Sequence, residues 1–216
     1  MTLTITPELG RRRLLMAGLT VAGGLLAPSL PRAQERTPTP AQTAGPFYPP
    51  TLPPDIDNDL VVVRGSQARA EGTVAHIAGR VLTAAGRPIP NAQVEIWQCD
   101  AHGRYLHPGS TGSAPRDAAF QGFGRTRAGA DGAYRFRTIK PVPYPGRTPH
   151  IHFAVAAPAG ELVTQMYVAG EPQNARDFLY ARLGERQREA VTVRLDPANG
   201  IEAGALAGQF DIVLRA

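Results

Sequence analysis

Glycine and proline interrupt this chain so often that no long helix can run through it. There are 23 Gly and 21 Pro among 216 residues, spread between short apolar runs. Glycine tolerates turn conformations, and proline lacks the N–H that a helix interior needs. The pattern predicts short strands joined by turns. No Gly-X-Y period is present, which excludes a collagen-like fibre. A hydrophobic content of 43% with a formal net charge of only +5 argues against intrinsic disorder. The single cysteine, Cys99, excludes an internal disulfide framework and any paired-cysteine metal site.

The positive charge is concentrated at the start of the chain. Arg11, Arg12 and Arg13 precede the apolar run Leu14–Leu30, which is followed by Pro31, Arg32 and Ala33. A charged region, an apolar region and a terminal small residue are the parts of an export signal. The order Arg-Arg-x-Leu-Leu resembles a twin-arginine signal, whose pathway carries folded proteins. The apolar run is broken by Gly23, Gly24 and Pro28 and is short for a membrane span. Residues 1–33 are therefore expected to be removed, leaving a periplasmic protein with no stable membrane insertion. They hold four Arg and one Glu, so removal leaves 19 basic and 17 acidic residues. A net charge of about +2 gives no support for nucleic-acid binding.

Residues 34–72 read as a Pro-rich extended arm, and residues 73–216 as one β-sandwich domain. From Thr73, Ala75, Ile77, Gly79 and Val81 share one face while His76 and Arg80 share the other. Ala84–Pro88 reads as a turn and Val94–Trp97 as a second strand. Residues 99–130 read as one long loop. Asp131-Gly132 is a turn signal, after which Tyr134 and Phe136 alternate with Arg135 and Arg137. Strands are expected near 149–156 and 161–168, a short helix within residues 174–188 around Phe178-Leu179, and closing strands over Val191–Leu195 and Phe210–Leu214. Seven or so such strands predict an all-β fold, an antiparallel β-sandwich with long loops. A closed barrel is the alternative.

His150-Ile151-His152 is the sharpest chemical feature. Alternate residues of a strand share a face, so Ile151, Phe153 and Val155 point to the core and both histidines point away from it. Two imidazoles on one face suit zinc, copper, nickel or iron. Residues 132–160 contain no carboxylate, so a third ligand of that kind would have to fold in from a distance. Tyr144 lies between Pro143 and Pro145, six residues before His150, and Tyr105 follows Gly103-Arg104. Neither sits in an alternating run. A phenol has a reference pKa near 10, and a trivalent cation favours its deprotonated oxygen. Surface packing of amphipathic rings is the competing explanation.

These segments occur in a familiar order. Thr43–Pro49 is followed by Gly79-Arg80-Val81, then Gly86–Gln98, Gly103-Arg104-Tyr105, Gly124-Arg125 and Asp131–Pro141. Pro143-Tyr144-Pro145, Arg147, His150–Phe153 and Thr164–Tyr167 complete the series. The whole resembles the intradiol ring-cleavage dioxygenases, especially their protocatechuate 3,4-dioxygenase branch, over roughly residues 43–168. The resemblance implies a non-haem Fe(III) held by Tyr105, Tyr144, His150 and His152. It implies that Tyr144 also acts as a base, that Arg147 steadies negative charge on the substrate, and that Gln165 lines the pocket. It implies an enzyme that splits a catechol between its two hydroxyl-bearing carbons with O2, giving a cis,cis-muconate-type dicarboxylate. Residues 106–122 should line the pocket entrance. Protocatechuate enzymes combine two kinds of subunit, so a homo-oligomer and a second subunit are both open. The competing function is a non-catalytic sandwich module, transthyretin-like or carbohydrate-binding, and a third option is zinc or copper on the same scaffold.

Overall fold

The computed structural model describes residues 35–215; the expected export signal lies outside the described residues. Ten strands, a 3-10 turn and one short helix are found among them. The strands are β1 (Val74–Thr83), β2 (Gln93–Trp97), β3 (Phe123–Arg127), β4 (Ala133–Ile139), β5 (His150–Ala157), β6 (Gly160–Val168), β7 (Thr192–Val193), β8 (Asp196–Pro197), β9 (Leu206–Gln209) and β10 (Ile212–Leu214), with helix α1 at Glu185–Val191. One sheet runs β10-β1-β9-β8 with β4 paired to β1, and the other runs β3-β2-β5-β6-β7. No helix among the described residues is long and apolar enough to cross a membrane.

The two sheets close on a common core. Ile77 and Val81 of β1 and Phe136 of β4 meet Ile96 of β2 and Ile151 and Phe153 of β5. All of these are at most 1% exposed. The period-2 pattern read in β1 and β5 therefore buries the residues it should. Gly79 on the buried face of β1 has a specific reason. A Cβ there would collide with the carbonyl of Phe210, where the β9–β10 connection crosses the strand.

Four expectations need correction. The sheets are mixed, not purely antiparallel, because β9 and β10 lie parallel to β1, and β7 lies parallel to β6. Parallel pairing needs a long connection; residues 84–205 join β1 to β9, and residues 169–191 join β6 to β7. The supposed loop 99–130 contains β3. Its sequence, FGRTR, has little apolar alternation, and Arg125 instead pairs across the sheet with Glu95 at 2.7 Å. The helix, Glu185–Val191, overlaps only the end of the expected 174–188 window and does not include Phe178-Leu179. The backbone N–H groups of Leu179 and Tyr180 both donate to Asp177 Oδ1, a local turn that competes with helix. The closing strand is only Thr192–Val193, since Val191 ends α1.

The second sheet also buries its outer face. Trp97, Cys99, Tyr105 and Phe123 form a separate cluster there, against Phe47 and Leu52 of the arm and Tyr144. Residues 35–72 contain no helix and no ladder strand. They are held by backbone bonds, including Thr39 N to Val213 O and Gln42 N to Val163 O. The arm thus roofs the sheet face that carries both histidines.

Candidate metal centre

Strand register sets the site. His152 stands opposite Trp97 on β2 and Gln165 on β6, and His150 stands opposite Tyr167. The His152 ring stacks on Trp97 with centroids 4.8 Å apart and an interplanar angle of 8°. His150 Nδ1 donates to the carbonyl of Thr148 at 2.6 Å, which leaves its Nε2 lone pair free. The two Nε2 atoms lie 3.2 Å apart, and the Tyr105 hydroxyl lies 3.4 Å from His150 Nε2. Tyr144 meets Tyr105 edge-on at 5.5 Å and His150 at 5.5 Å between centroids. The structure therefore brings Tyr105, Tyr144, His150 and His152 together. Tyr167 is close to His150 too, but its hydroxyl bonds Gln42 and Gln165 instead.

The chemistry of these donors fits a metal ion. Two donors bound at about 2.0–2.1 Å and 90–120° apart around one ion lie roughly 2.9–3.6 Å from each other, which spans both measured separations. Among the described residues, no group of three or more His, Cys, Asp and Glu is placed to share an ion. The Tyr105 hydroxyl, 3.4 Å from His150 Nε2, is an oxygen donor within reach of an ion on this histidine pair. His152 Nδ1 is buried without a hydrogen-bond partner. Burial, with the nearby Arg147 charge, pushes the His150 pKa down to about 4. Burial, the neighbouring His150 and Arg147 hold His152 well below its ordinary value. Both imidazoles are neutral near pH 7, the state a metal requires. Burial pushes Tyr105 well above 10, and Tyr144 is also raised by burial although Arg147 opposes it. Without a bound cation both phenols keep their protons.

Arg147 and Gln165 join this centre from the side. Arg147 Nη1 lies 3.4 Å from the Tyr144 hydroxyl, and Nη2 donates to Gln165 Oε1 at 2.5 Å. Gln165 Nε2 in turn donates to the carbonyl of Thr43 in the arm at 3.1 Å. A cavity of about 490 Å3 opens beside Tyr144, Pro145, Arg147, Gln173 and Arg176, within the size range of small-molecule sites. Of the expected entrance loop, Leu106, His107, Pro108, Ser110 and Arg116 border a second cavity on the Tyr105 side.

Sequence reasoning missed three contributors. Phe47 stacks on Tyr105 at 5.0 Å and meets Tyr144 edge-on at 6.1 Å. Gly45 has φ of +67° and passes so close to the sheet that its Cβ would lie 3.5 Å from His152 Cε1. Both belong to the Thr43–Pro49 motif, which was a signal without a role. Asp177 is the distant carboxylate that does fold in, yet it binds Arg147 at 2.8 Å and not the histidines. Burial raises its pKa, but hydrogen bonds from Arg147 and from the Tyr180 and Thr148 backbone outweigh this and leave it below the ordinary carboxylate value.

A buried pair of neutral histidines thus lies beside two phenols on a sandwich of mixed sheets, a donor set that fits a metal ion. The family model described as "Dioxygenase" matches residues 43–216. The protocatechuate 3,4-dioxygenase beta chain of Burkholderia cepacia is 40% identical over 171 residues, covering 74% of this chain and 72% of that one. Catechol 1,2-dioxygenase of Acinetobacter baylyi is 31% identical over 202 residues, covering 82% of this chain and 62% of that one. Among solved structures, the dioxygenase domain of a carbohydrate-binding fusion from Streptomyces sp. SirexAA-E is 32% identical with a TM-score of 0.62. That match covers 83% of this chain and 99% of the domain. The chain belongs to the intradiol ring-cleavage dioxygenases. It is an enzyme of that class, which replaces the binding-module alternative.

Proposed function

We propose that this protein is a non-haem Fe(III) enzyme that cleaves a catechol-type ring between its hydroxyl-bearing carbons, with Tyr105, Tyr144, His150 and His152 as the iron ligands. The observation that carries this reading is the convergence of two imidazole Nε2 atoms 3.2 Å apart with the Tyr105 hydroxyl 3.4 Å from one of them. Hard Fe(III) prefers phenolate oxygen, whereas zinc gains less from it. Fe(III) held by these residues would supply Lewis-acid activation of a catechol-type substrate toward O2. Both oxygen atoms enter the product, a cis,cis-muconate-type dicarboxylate.

The remaining work falls to side chains of this chain. Tyr144 borders the cavity, so its phenolate oxygen is the one placed to accept a proton from an incoming catechol hydroxyl. Tyr105 is 2% exposed and stays in place. Arg147, with its side chain 8% exposed, is a fixed cation beside the Tyr144 oxygen and steadies negative charge as it develops on the substrate. Gln165 orients Arg147 and ties it to the arm. Trp97 and Phe47 cover the rings and exclude water. The same reading takes residues 1–33 as a twin-arginine signal and the mature protein as periplasmic, supported by Arg11–Arg13 and the interrupted apolar run. A second subunit or a homo-oligomer is compatible with it.

The experiment is purification with metal analysis, a visible spectrum and product analysis after incubation with catechol and O2. Tyrosinate bound to Fe(III) gives a wine-red protein, and the expected product carries two carboxylates. A colourless zinc protein, or a ring opened beside rather than between the hydroxyl carbons, would overturn the reading.

A further inference from the structure

We propose that Asp177 is a positioning residue for Arg147, fixing the plane in which its guanidinium meets the substrate; this rests on the function proposed above. The Asp177 side chain is 0% exposed. Its Oδ2 accepts Arg147 Nε at 2.8 Å and the backbone N–H of Thr148 at 3.1 Å. Its Oδ1 accepts the N–H groups of Leu179 and Tyr180, each at 3.0 Å. Four donors hold the carboxylate in one orientation. A guanidinium is rigid and planar, so a bond at Nε fixes where both Nη atoms point. With Nε on Asp177, Nη1 faces the Tyr144 hydroxyl and Nη2 faces Gln165. Arg147 Cζ lies over the ring of Phe178, the next residue, 5.6 Å from its centroid. One short segment therefore sets both the edge and the face of Arg147.

The segment is itself anchored beneath the histidine strand. Asn174 accepts the Thr148 hydroxyl at 2.7 Å and donates to the Val168 carbonyl at 2.8 Å. Thr148 links this anchor to the centre, because its N–H meets Asp177 and its carbonyl meets His150 Nδ1. The simpler role for Asp177 is to cap the turn at Leu179 and Tyr180. That role needs only an acceptor at Oδ1. It gives no reason for Oδ2 to take the Arg147 Nε.

The two roles separate in a double-mutant cycle with Arg147→Ala. Asp177→Asn keeps a side-chain acceptor for the turn but loses the second carboxylate oxygen. Asp177→Ser keeps a shorter acceptor that caps such turns and withdraws from Arg147. Iron content, the visible band before and after anaerobic addition of catechol, catechol affinity and the single-turnover rate with O2 are measured on each. Both Asp177 variants are expected to retain iron and the resting band. Each should lose about ten- to a hundred-fold in single-turnover rate, with a smaller change in catechol affinity. The catechol-bound band should move as it does in Arg147→Ala. In the Arg147→Ala background the same changes should cost less than about two-fold further, since Asp177 then has nothing to position. Equal losses in both backgrounds, a parental rate in both variants, or loss of iron where Arg147→Ala keeps it, would each overturn the proposal. Failure of both variants to fold would assign Asp177 to the turn and overturn it as well. A parent protein that holds no iron and turns over no catechol would refute the proposed function instead.

Discussion

Arg147 Nη1 and the Tyr144 hydroxyl lie 3.4 Å apart, three residues along one loop, and the Tyr144 ring packs beside His150. The two residues should therefore fail differently. Tyr144→Phe removes a proposed ligand and base. It should keep part of the iron through the other three ligands, shift the visible band and slow the step that deprotonates catechol. Arg147→Ala removes no proposed ligand, only a donor 3.4 Å from the Tyr144 oxygen. It should leave iron content and resting colour near parental while single-turnover rate falls on the order of a hundred-fold. Metal analysis with stopped-flow spectroscopy of both variants makes the comparison, and iron loss from Arg147→Ala would reject this division of roles.

Loading the metal-free protein should release protons from tyrosine and not from histidine. Burial lowers the pKa of His150 and His152 and raises that of Tyr105 and Tyr144. Near pH 7 the imidazoles have no proton to lose on binding, and each phenol has one. Tyr105→Phe and Tyr144→Phe should each release about one proton fewer per ion than the parent. The difference is read with an indicator dye in weakly buffered solution, so that hydrolysis of the free ion cancels. Equal release in parent and variants would mean that the phenols are not ligands.

Away from the site, Glu202 should make the protein sensitive to acid. Arg137 donates to both Glu202 oxygens at 2.8 Å and also to Asp59 of the arm, and Arg69 and His76 reach Glu202 as well. Arg137 in particular draws the Glu202 pKa from its ordinary 4.5 down to about 2. The folded state thus releases this proton more readily than the unfolded state does. The resulting stability is complete above about pH 4.5 and disappears as pH falls toward 2. Solvent reaches the network, so the contribution is about 1 kcal/mol. Glu202→Gln should lower stability by that amount at pH 7 and by progressively less between pH 4.5 and 2. Urea melts across that range measure it, and a pH-independent difference would contradict it.

The proposed export rests on Arg11–Arg13 and the apolar run that follows. Replacing Arg11 and Arg12 with Lys should leave the precursor inside the cell, because the twin-arginine route requires that pair. Fractionation and immunoblotting decide it, and unchanged export of the variant would exclude that route.

What was legible in the sequence was local. Ile77 and Val81 alternate with His76 and Arg80 because a half-buried strand has period two, and β1 follows that pattern. His150 and His152 share a face for the same reason, and Tyr144 between two prolines was conspicuous without any partner. Strand β3 was hidden because an Arg125–Glu95 pair takes the place of apolar alternation. Strands β8 and β9 were hidden because DP and LAGQ form ladders only beside β1 and each other. Asp177 could not be assigned to Arg147, since 30 residues of chain separate them and only the β6-to-α1 segment brings them together. Phe47 likewise gains meaning only when the arm folds back over Tyr105.

Two histidines of one strand and two tyrosines from separate loops are proposed to hold one Fe(III). Iron content and the visible spectrum of His150→Ala and His152→Ala, each purified beside the parent, test it most directly. Each change removes one of four proposed protein ligands, so both variants should lose most of their iron and the tyrosinate-to-iron colour while keeping a β-rich circular dichroism spectrum. Full iron occupancy and undiminished colour in both variants would contradict the account.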